Sequence, residues 1–265
     1  DSEILDAARA FADEAEAYQG GDKLIDGCSA ICYVDGNSAI QAMLTGSLGG
    51  RITVTKTSAD ASITAGNEEY SPAGAVYGVY AEDGSLAVKV TIGEDGTGTT
   101  DGKLKSGTYT VREIEAPDGW TLSIKAHEVE VRNHDAQAED AETPVTVELD
   151  LVKTDAETGE PSPQGAASLD GAVYEATYQK GGKAETQSAT VEGGKAVFSG
   201  IPLGKFTVRE TKAPEGYLPD AEAHELEVTA ETAGHSAATF ALQPEDEFSE
   251  QVKRGDLELV KVTDG

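Results

Sequence analysis

The sequence predicts an all-β protein that consists of two tandem β-sandwiches preceded by a short α+β fragment. Three observations indicate this fold class. One block of sequence occurs twice in constant register, apolar and polar residues alternate within each copy, and Gly, Pro, Asp and Asn separate the alternating segments. Period-two alternation in short segments bounded by turn residues is typical of strands with one face in a core.

The internal repeat sets the domain organisation. GAVYGVY at Gly74 matches GAVYEATY at Gly171, at an offset of 97 residues (171 − 74). YTVREIEAPDGW and FTVRETKAPEGY, AHEVEV and AHELEV, and ITVTK and LDLVK keep the same offset. Four blocks in one register indicate two copies of a module. We expect sandwiches at 51–146 and 147–256, and the first strand of a third module, which contains LELVK, at 257–265.

The first 50 residues do not repeat. Ser2 is predicted to cap a helix in which apolar residues recur at helical spacing, and Gly20-Gly21 ends the run. The apolar residues are Ile4, Ala8, Phe11, Ala15 and Tyr18. SAICYV and SAIQAML are then predicted to form strands. We interpret 1–50 as the tail of an upstream α+β domain, and the whole chain as a fragment of a longer protein.

Charge and hydropathy exclude several classes of partner. The chain has 49 acidic and 20 basic residues, for a net charge of −29. Such a chain repels phosphate backbones and anionic lipid, so we expect no nucleic-acid partner. No run of about 18 apolar residues is present, so we expect no membrane insertion within this segment.

The cysteines and histidines do not predict a metal site. Cys28 and Cys32 both precede the repeats, so disulfides cannot hold the modules together. Their CSAIC spacing differs from that of zinc or redox pairs, which favours a local disulfide or two buried thiols. His127 and His224 correspond across the repeats and lack a second His or Cys at ligand spacing, so we expect them to be structural.

Charged residues stand on strand faces that are otherwise apolar. Lys56 follows Ile52 and Val54 on one face, and Lys153 follows Leu149 and Leu151. Glu113 and Glu210 end similar alternations in the repeated YTVRE and FTVRE segments. Because a buried charge is costly unless it is paired, these side chains are expected to meet partners inside the sandwich.

A third position of this kind closes each module. QAED ends at Asp140 and QPED ends at Asp246, and both follow alternating residues that point an acidic side chain inward. Asn133 is an alternative to Asp140 in the first module. The second module has no such alternative, because there is no Asn from residue 142 to 265.

The Glu-x-x-Ala-Pro-x-Gly-aromatic motif resembles the E-box of collagen-adhesin B-type, SpaA-like or pilin-related domains of Gram-positive surface proteins. GAVY and the Lys-ended first strand match the same family, over roughly residues 51–256. The resemblance implies an inverse-immunoglobulin (prealbumin-like) sandwich. It also implies an amide between a first-strand Lys and a last-strand Asn or Asp, assisted by the E-box Glu. The implied sets are Lys56, Glu113 and Asp140, and Lys153, Glu210 and Asp246, with Lys261 as the lysine of the next module.

Burial accounts for these residue types. It lowers the pKa of Lys and raises the pKa of Asp and Glu, so that a neutral amine faces a neutral acid. A protonated Glu then polarises the acceptor carbonyl and carries the proton. The alternative is a buried Lys–Asp–Glu salt bridge without a covalent bond.

The predicted function is a structural stalk or pilin-like module of a cell-wall-anchored bacterial adhesin, in an extracellular location. The chain is not expected to be an enzyme beyond self-catalysed isopeptide formation, and it needs no cofactor. Expected partners are neighbouring modules of the chain, host matrix or cell surface, and a sortase that acts on other segments. The alternative is a module that binds a host ligand through sandwich loops. Gln41 is interpreted as a strand residue, with a Cys–Gln thioester as the alternative that the resemblance raises.

Overall fold

The computed structural model describes residues 28–34, 40–46, 49–132, 134–244 and 248–255. The chain divides into two compact units. The first unit contains Asp1–Thr57, Pro72–Glu115 and Ser123–Asp140, and the second contains Ser58–Ser71, Ala116–Leu122 and Ala141–Gly265. The predicted helix between Ile4 and Tyr18 and the predicted strand at 257–265 lie outside the described residues.

The described part of the first unit is all-β. Its strands are β1 (Cys28–Val34), β2 (Ile40–Gly46), β3 (Ile52–Ser58), β4 (Val76–Ala81), β5 (Leu86–Thr91), β6 (Thr97–Thr99), β7 (Gly107–Glu115), β8 (His127–Val131) and β9 (Ala136–Glu142). One sheet has the order β6-β3-β9 and another has the order β5-β4-β7-β8. Both sheets supply residues to one apolar core, which gives the predicted sandwich.

The two predicted strands of the N-terminal fragment are confirmed. Strands β1 and β2 pair antiparallel from Cys28↔Gly46 to Val34↔Ile40. Gln41 lies in β2 opposite Tyr33, which agrees with its interpretation as a strand residue.

The described part of the second unit contains the other strands and two short helices. Its elements are α1 (Ala61–Thr64), β10 (Thr146–Val152), β11 (Thr154–Asp155), β12 (Val173–Lys180), β13 (Lys183–Thr190), β14 (Lys195–Pro202), β15 (Gly204–Lys212), β16 (Ala223–Val228), α2 (Ala230–Ala233), β17 (Thr239–Leu242) and β18 (Ser249–Glu250). Its sheets have the orders β14-β10-β17, β11-β18 and β13-β12-β15-β16. The first strand of this sandwich pairs in parallel with the last, β10 with β17 and β11 with β18.

Alternation places the predicted residues inside. Ile52 and Val54 are fully buried in β3, and Lys56 on the same face is 4% exposed. In the second unit Leu149 and Leu151 are fully buried, and Lys153 follows them with no exposed surface. Successive side chains of a strand point to opposite faces. The third residue on the inward face of these strands is therefore buried in the core, whether it is polar or apolar.

The core of the second unit also includes two aromatic residues that precede Val145 in the chain. Tyr70 and Trp120 are 5% and 3% exposed, and their rings meet edge to face with centroids 5.9 Å apart. The Tyr70 hydroxyl donates to the Val145 carbonyl at 2.7 Å and accepts from the Leu203 amide at 2.9 Å. Both hydrogen bonds satisfy backbone groups that burial would otherwise leave without a partner.

Candidate functional site

The repeated Ala-Pro-x-Gly-aromatic segment forms a tight turn. In the second copy the Tyr217 amide donates to the Pro214 carbonyl at 3.4 Å, and Gly216 has φ of 87°. A Cβ on Gly216 would lie 2.6 Å from the Cβ of Ala167. Gly119 has φ of 84° in the first copy. The motif needs glycine because the turn requires a left-handed backbone, which other residues rarely adopt.

This turn brings the chain back over the glutamate that precedes it. The Ser123 amide donates to Oε2 of Glu113 at 2.7 Å, and the Asp220 amide donates to Oε2 of Glu210 at 2.8 Å. One carboxyl oxygen is therefore held by the backbone in both copies. The other oxygen, Oε1, faces a lysine in both.

In the first unit this lysine is Lys56 on β3. Its Nζ lies 3.2 Å from Oε1 of Glu113, and neither side chain is exposed. Burial lowers the pKa of Lys56, although the charge of Glu113 opposes the shift. Burial likewise raises the pKa of Glu113, against the hydrogen bond from Ser123 and the charge of Lys56. Both shifts favour the neutral forms, as the sequence predicted.

Asp140 lies on β9 and is 1% exposed. The Tyr77 hydroxyl donates to its Oδ2 at 3.4 Å. Its Oδ1 lies 3.3 Å from Nε2 of His127 and 3.6 Å from Nζ of Lys125. The charge of Asp140 also raises the pKa of Lys56, though less than Glu113 does. The structure therefore brings Lys56, Glu113 and Asp140 into one buried group, which we call the first site.

In the second unit Lys153 follows β10 and makes three polar contacts. Its Nζ donates to Oε1 of Glu210 at 3.2 Å, to the Tyr174 hydroxyl at 2.6 Å and to Oε1 of Glu250. Glu250 lies on β18 and is 3% exposed. We call Lys153, Glu210 and Glu250 the second site.

The second site favours a protonated acid. Burial, together with a hydrogen bond with Glu210, raises the pKa of Glu250 to about 8, although Lys153 opposes the shift. A hydrogen bond between two carboxyl groups requires a proton on one of them. Burial is also the main cause that raises the pKa of Tyr174. An amine and a neutral carboxylic acid are thus held in contact away from water.

Glu250 is not among the residues that the sequence pattern predicted. A signal was present: Glu250 precedes Lys261 by 11 residues (261 − 250), and Glu142 precedes Lys153 by the same 11 (153 − 142). Asp246, Asn133 and Lys261 lie outside the described residues, so their predicted roles stay predictions. The structure does not describe the side chains of Cys28, Cys32 and Gln41 either.

The arrangement can support two kinds of interaction. An ammonium on Lys153 would have its three donors matched by three oxygen acceptors, which is a buried ion pair. A neutral amine could instead condense with a neighbouring acid to give an amide. In the part of the chain that the structure describes, no group of three or more His, Cys, Asp or Glu residues is placed to hold a metal ion. None of the described helices has the length and apolar character needed to cross a bilayer.

Comparison with known families identifies both modules. The model of a family described as the SpaA prealbumin-like fold domain matches residues 50–143 and 147–240. These two stretches make up most of the chain. No curated protein matches the chain.

Several solved structures are similar to the chain. The chain is similar to the TIE protein of Bacillus anthracis, with a TM-score of 0.54 and 23% identity. That match covers 85% of this chain and 41% of TIE, so the chain spans less than half of that protein. The Streptococcal ancillary pilin matches at 15% identity and a TM-score of 0.30, over 80% of this chain and 65% of the pilin. BcpA, the major pilin subunit of Bacillus cereus, matches at 13% identity and a TM-score of 0.29, over 77% of this chain and 99% of BcpA.

Proposed function

The chain belongs to the family of SpaA prealbumin-like fold domains, and we propose that it is a structural stalk or pilin-like module of a bacterial surface protein. In this proposal each sandwich is tied by an amide between a first-strand lysine and a last-strand carboxyl. The observation that carries the proposal is the complete burial of Lys153 against Glu210 and Glu250.

Burial of three ionisable groups in a small sandwich needs a physical reason. A buried ion pair often stabilises a protein no more than apolar residues of similar volume would. An amide removes the charges of the amine and the acid together, because its product is neutral. The proposed bond therefore gives the lysine and the acid a role that ion pairing alone does not explain.

The E-box glutamate is the proposed proton carrier. In the first site Oε2 of Glu113 is held by the Ser123 amide, which leaves Oε1 directed at the nitrogen of Lys56. The lowered pKa of Lys56 favours the nucleophilic neutral amine, and the raised pKa of Glu113 favours the acid form. Asp140 is the proposed acceptor in this site, and its release of water completes the amide.

The position of the bond suits a protein that bears load. The first strand of the second sandwich lies directly beside the last, as the β10–β17 and β11–β18 pairs show. A covalent link across these strands closes nearly the whole module into one loop, as a disulfide would. A buried lysine and glutamate occur in both copies, which favours a repeated spacer over a binding site that is needed once.

We place the protein on the outside of a Gram-positive cell, with neighbouring modules as its first partners. The similar structures include an ancillary pilin, a major pilin subunit and a pilus adhesin. By extension, pilin-type subunits and host surfaces are the proposed partners of the longer protein. Sortase attachment would depend on other segments.

Intact-protein mass spectrometry tests the proposal. The purified chain should weigh less than its sequence mass by two water molecules, one for each amide. Lys56→Met and Lys153→Met should each restore one water, as should Glu210→Ala. Asp140→Ala should restore the water of the first site. Lys205→Met, which replaces an exposed lysine of the second unit, should leave the deficit unchanged. A full sequence mass for the unaltered chain would leave only buried ion pairs and reject the bonds.

A further inference from the structure

We infer that Glu250, and not Asp246, is the carboxyl that joins Lys153, so that the second module carries a Lys–Glu amide. The inference rests on the proposed function, because it presumes that a bond forms. It departs from the Lys–Asp bond that the sequence predicts. Four features of the structure support it. They are the contact between Lys153 and Glu250, the register of the last strand, the surroundings of Phe248 in the place of Asp140, and the burial of Glu250.

Contact is the most direct support. Nζ of Lys153 donates to Oε1 of Glu250, and the Tyr174 hydroxyl approaches the same oxygen at 3.4 Å. Glu210 lies 3.2 Å from the same lysine nitrogen. Tyr174, Glu210 and Glu250 are thus three neighbours around one nitrogen, and Glu250 is the one that comes from the last strand.

Strand register limits which residues of the last strand can face the lysine. Strand β11 pairs in parallel with β18, with Asp155 opposite Glu250. The Thr154 amide donates to the Phe248 carbonyl at 3.1 Å, and the Ala156 amide donates to the Glu250 carbonyl at 2.9 Å. These hydrogen bonds place Phe248 and Glu250 on either side of the position that pairs with Thr154, the residue that follows Lys153.

The first module shows the same ladder, with its first-strand side 97 residues earlier (156 − 59) and its last-strand side 108 residues earlier (250 − 142). The Ala59 amide donates to the Glu142 carbonyl at 2.7 Å, as Ala156 does to Glu250. Glu142 is 2% exposed, so a buried glutamate occupies this register in both modules. Thr57, which corresponds to Thr154, donates through its hydroxyl to the Asp140 carbonyl at 3.4 Å. In this register the counterpart of Asp140 is Phe248.

The surroundings of Phe248 agree with this correspondence. His127 faces Asp140 in the first unit, and its counterpart His224 packs on Phe248 with ring centroids 4.7 Å apart. The Tyr77 hydroxyl faces Asp140, and its counterpart Tyr174 meets Phe248 edge to face at 5.7 Å. The second module therefore has an apolar ring where the first has an aspartate.

Burial gives Glu250 the protonation state that the reaction needs. Its carboxyl is removed from water, which raises its pKa to about 8, so the acid form persists at neutral pH. The neutral amine of Lys153 attacks Cδ of protonated Glu250. The Nζ–Cδ bond forms, one Cδ–O bond breaks and water leaves. Glu210 accepts a proton from the amine and returns it to the departing hydroxyl, so it ends unchanged.

Peptide mapping of the unaltered chain is the first test. Trypsin should yield a branched peptide in which the segment with Lys153 is linked to a segment that contains both Asp246 and Glu250. Fragment ions that break between these two residues locate the link. A link at Glu250 supports the inference. A link at Asp246 overturns it and leaves the proposed function intact, whereas no branched peptide together with a full sequence mass rejects the bond altogether.

Variants give an independent test by intact mass. Glu250→Ala should restore one water, and Asp246→Ala should restore none; the reverse pattern would assign the bond to Asp246. Glu250→Gln is a more conservative variant, which covers the case in which Glu250→Ala does not fold. A Gln acceptor releases ammonia and forms the same amide, so the reacted variant should have the mass of the reacted unaltered chain. If Asp246 were the acceptor, the Glu-to-Gln mass difference would remain in the product.

Discussion

The two sites share one half of their structure and differ in the other. In both, a first-strand lysine lies 3.2 Å from Oε1 of a glutamate whose Oε2 accepts a backbone hydrogen bond. On the last strand the first site places Asp140 near His127 and Lys125, and the second places Phe248 on His224. The shared half is the part that the repeated motif encodes.

This difference indicates which features the chemistry requires. The lysine, the E-box glutamate and the backbone donor that orients it occur in both sites, so the proposed reaction would depend on them. The residue that faces the histidine differs in charge and size: in the first site it is Asp140, the proposed acceptor, and in the second it is Phe248, which packs on His224, while Glu250 is the proposed acceptor there. The following variants test this division.

Removal of the lysine should have the largest effect. For Lys153→Met we expect the second unit to lose about 4–5 kcal/mol of unfolding free energy, since a cross-link that closes a loop of this size stabilises by about that amount. Trp120 is the single tryptophan and is buried in the second unit, so its fluorescence during denaturant unfolding follows that unit. Lys205→Met is the matched control. Equal midpoints for the Lys153→Met variant and the unaltered chain would show that no cross-link contributes.

Removal of the aromatic ring at Phe248 should come next. Phe248→Ala should destabilise the second unit by about 3–5 kcal/mol, because truncation of a buried Phe loses its transfer free energy and leaves a cavity. Phe248 is 1% exposed and touches the rings of Tyr174 and His224. The measurement is the Trp120 unfolding midpoint in urea. Asp140→Ala, at the equivalent position of the first unit, should leave that midpoint unchanged; a shift of similar size would contradict the separation of the two sites.

Loss of the Tyr70 hydroxyl should have a moderate effect on the second unit. Tyr70→Phe removes the partner of the Val145 carbonyl and of the Leu203 amide, and a buried group left without its hydrogen bond costs about 1–3 kcal/mol. The Trp120 unfolding midpoint should fall accordingly. Tyr109→Phe removes a hydroxyl that donates to the Lys105 carbonyl in the first unit, and it should not move this midpoint. A larger loss from Tyr109→Phe would contradict the assignment of Tyr70 to the second core.

Low pH should destabilise the second unit through protonation of Asp155, and this should be the smallest of the four predicted effects. Burial alone would raise the pKa of Asp155, but hydrogen bonds from Gln164, Tyr217 and two backbone amides lower it from 3.8 to about 2. Because the folded-state pKa is depressed, this stabilisation is present above about pH 4 and disappears as the pH falls towards 2. Asp155→Asn should flatten the pH dependence of the thermal unfolding temperature in that window. The first module has Ser58 at the matching position. An unchanged acid dependence in the variant would reject this role of Asp155.

Alternation and repetition predicted much of the fold and half of each site. The period of a strand is a property of the backbone, so Ile52 and Val54 on one face carry Lys56 inward without any knowledge of its neighbours. The same reasoning placed Lys153, Glu113 and Glu210 in the interior, and all are buried. The 97-residue offset identified two modules, and the family match covers both.

Long-range pairing decided the rest. A short sequence contains no information on how far one strand slides past a partner nearly 100 residues away, and a shift of two residues keeps the same face inward while changing which side chain meets the lysine. Similarity of QAED and QPED predicted Asp246, which lies outside the described residues, and the ladder beside β11 presents Phe248 and Glu250. Packing of Tyr70 and Trp120 into the second core is likewise a matter of tertiary contact, since their own segments show no alternation that would reveal it.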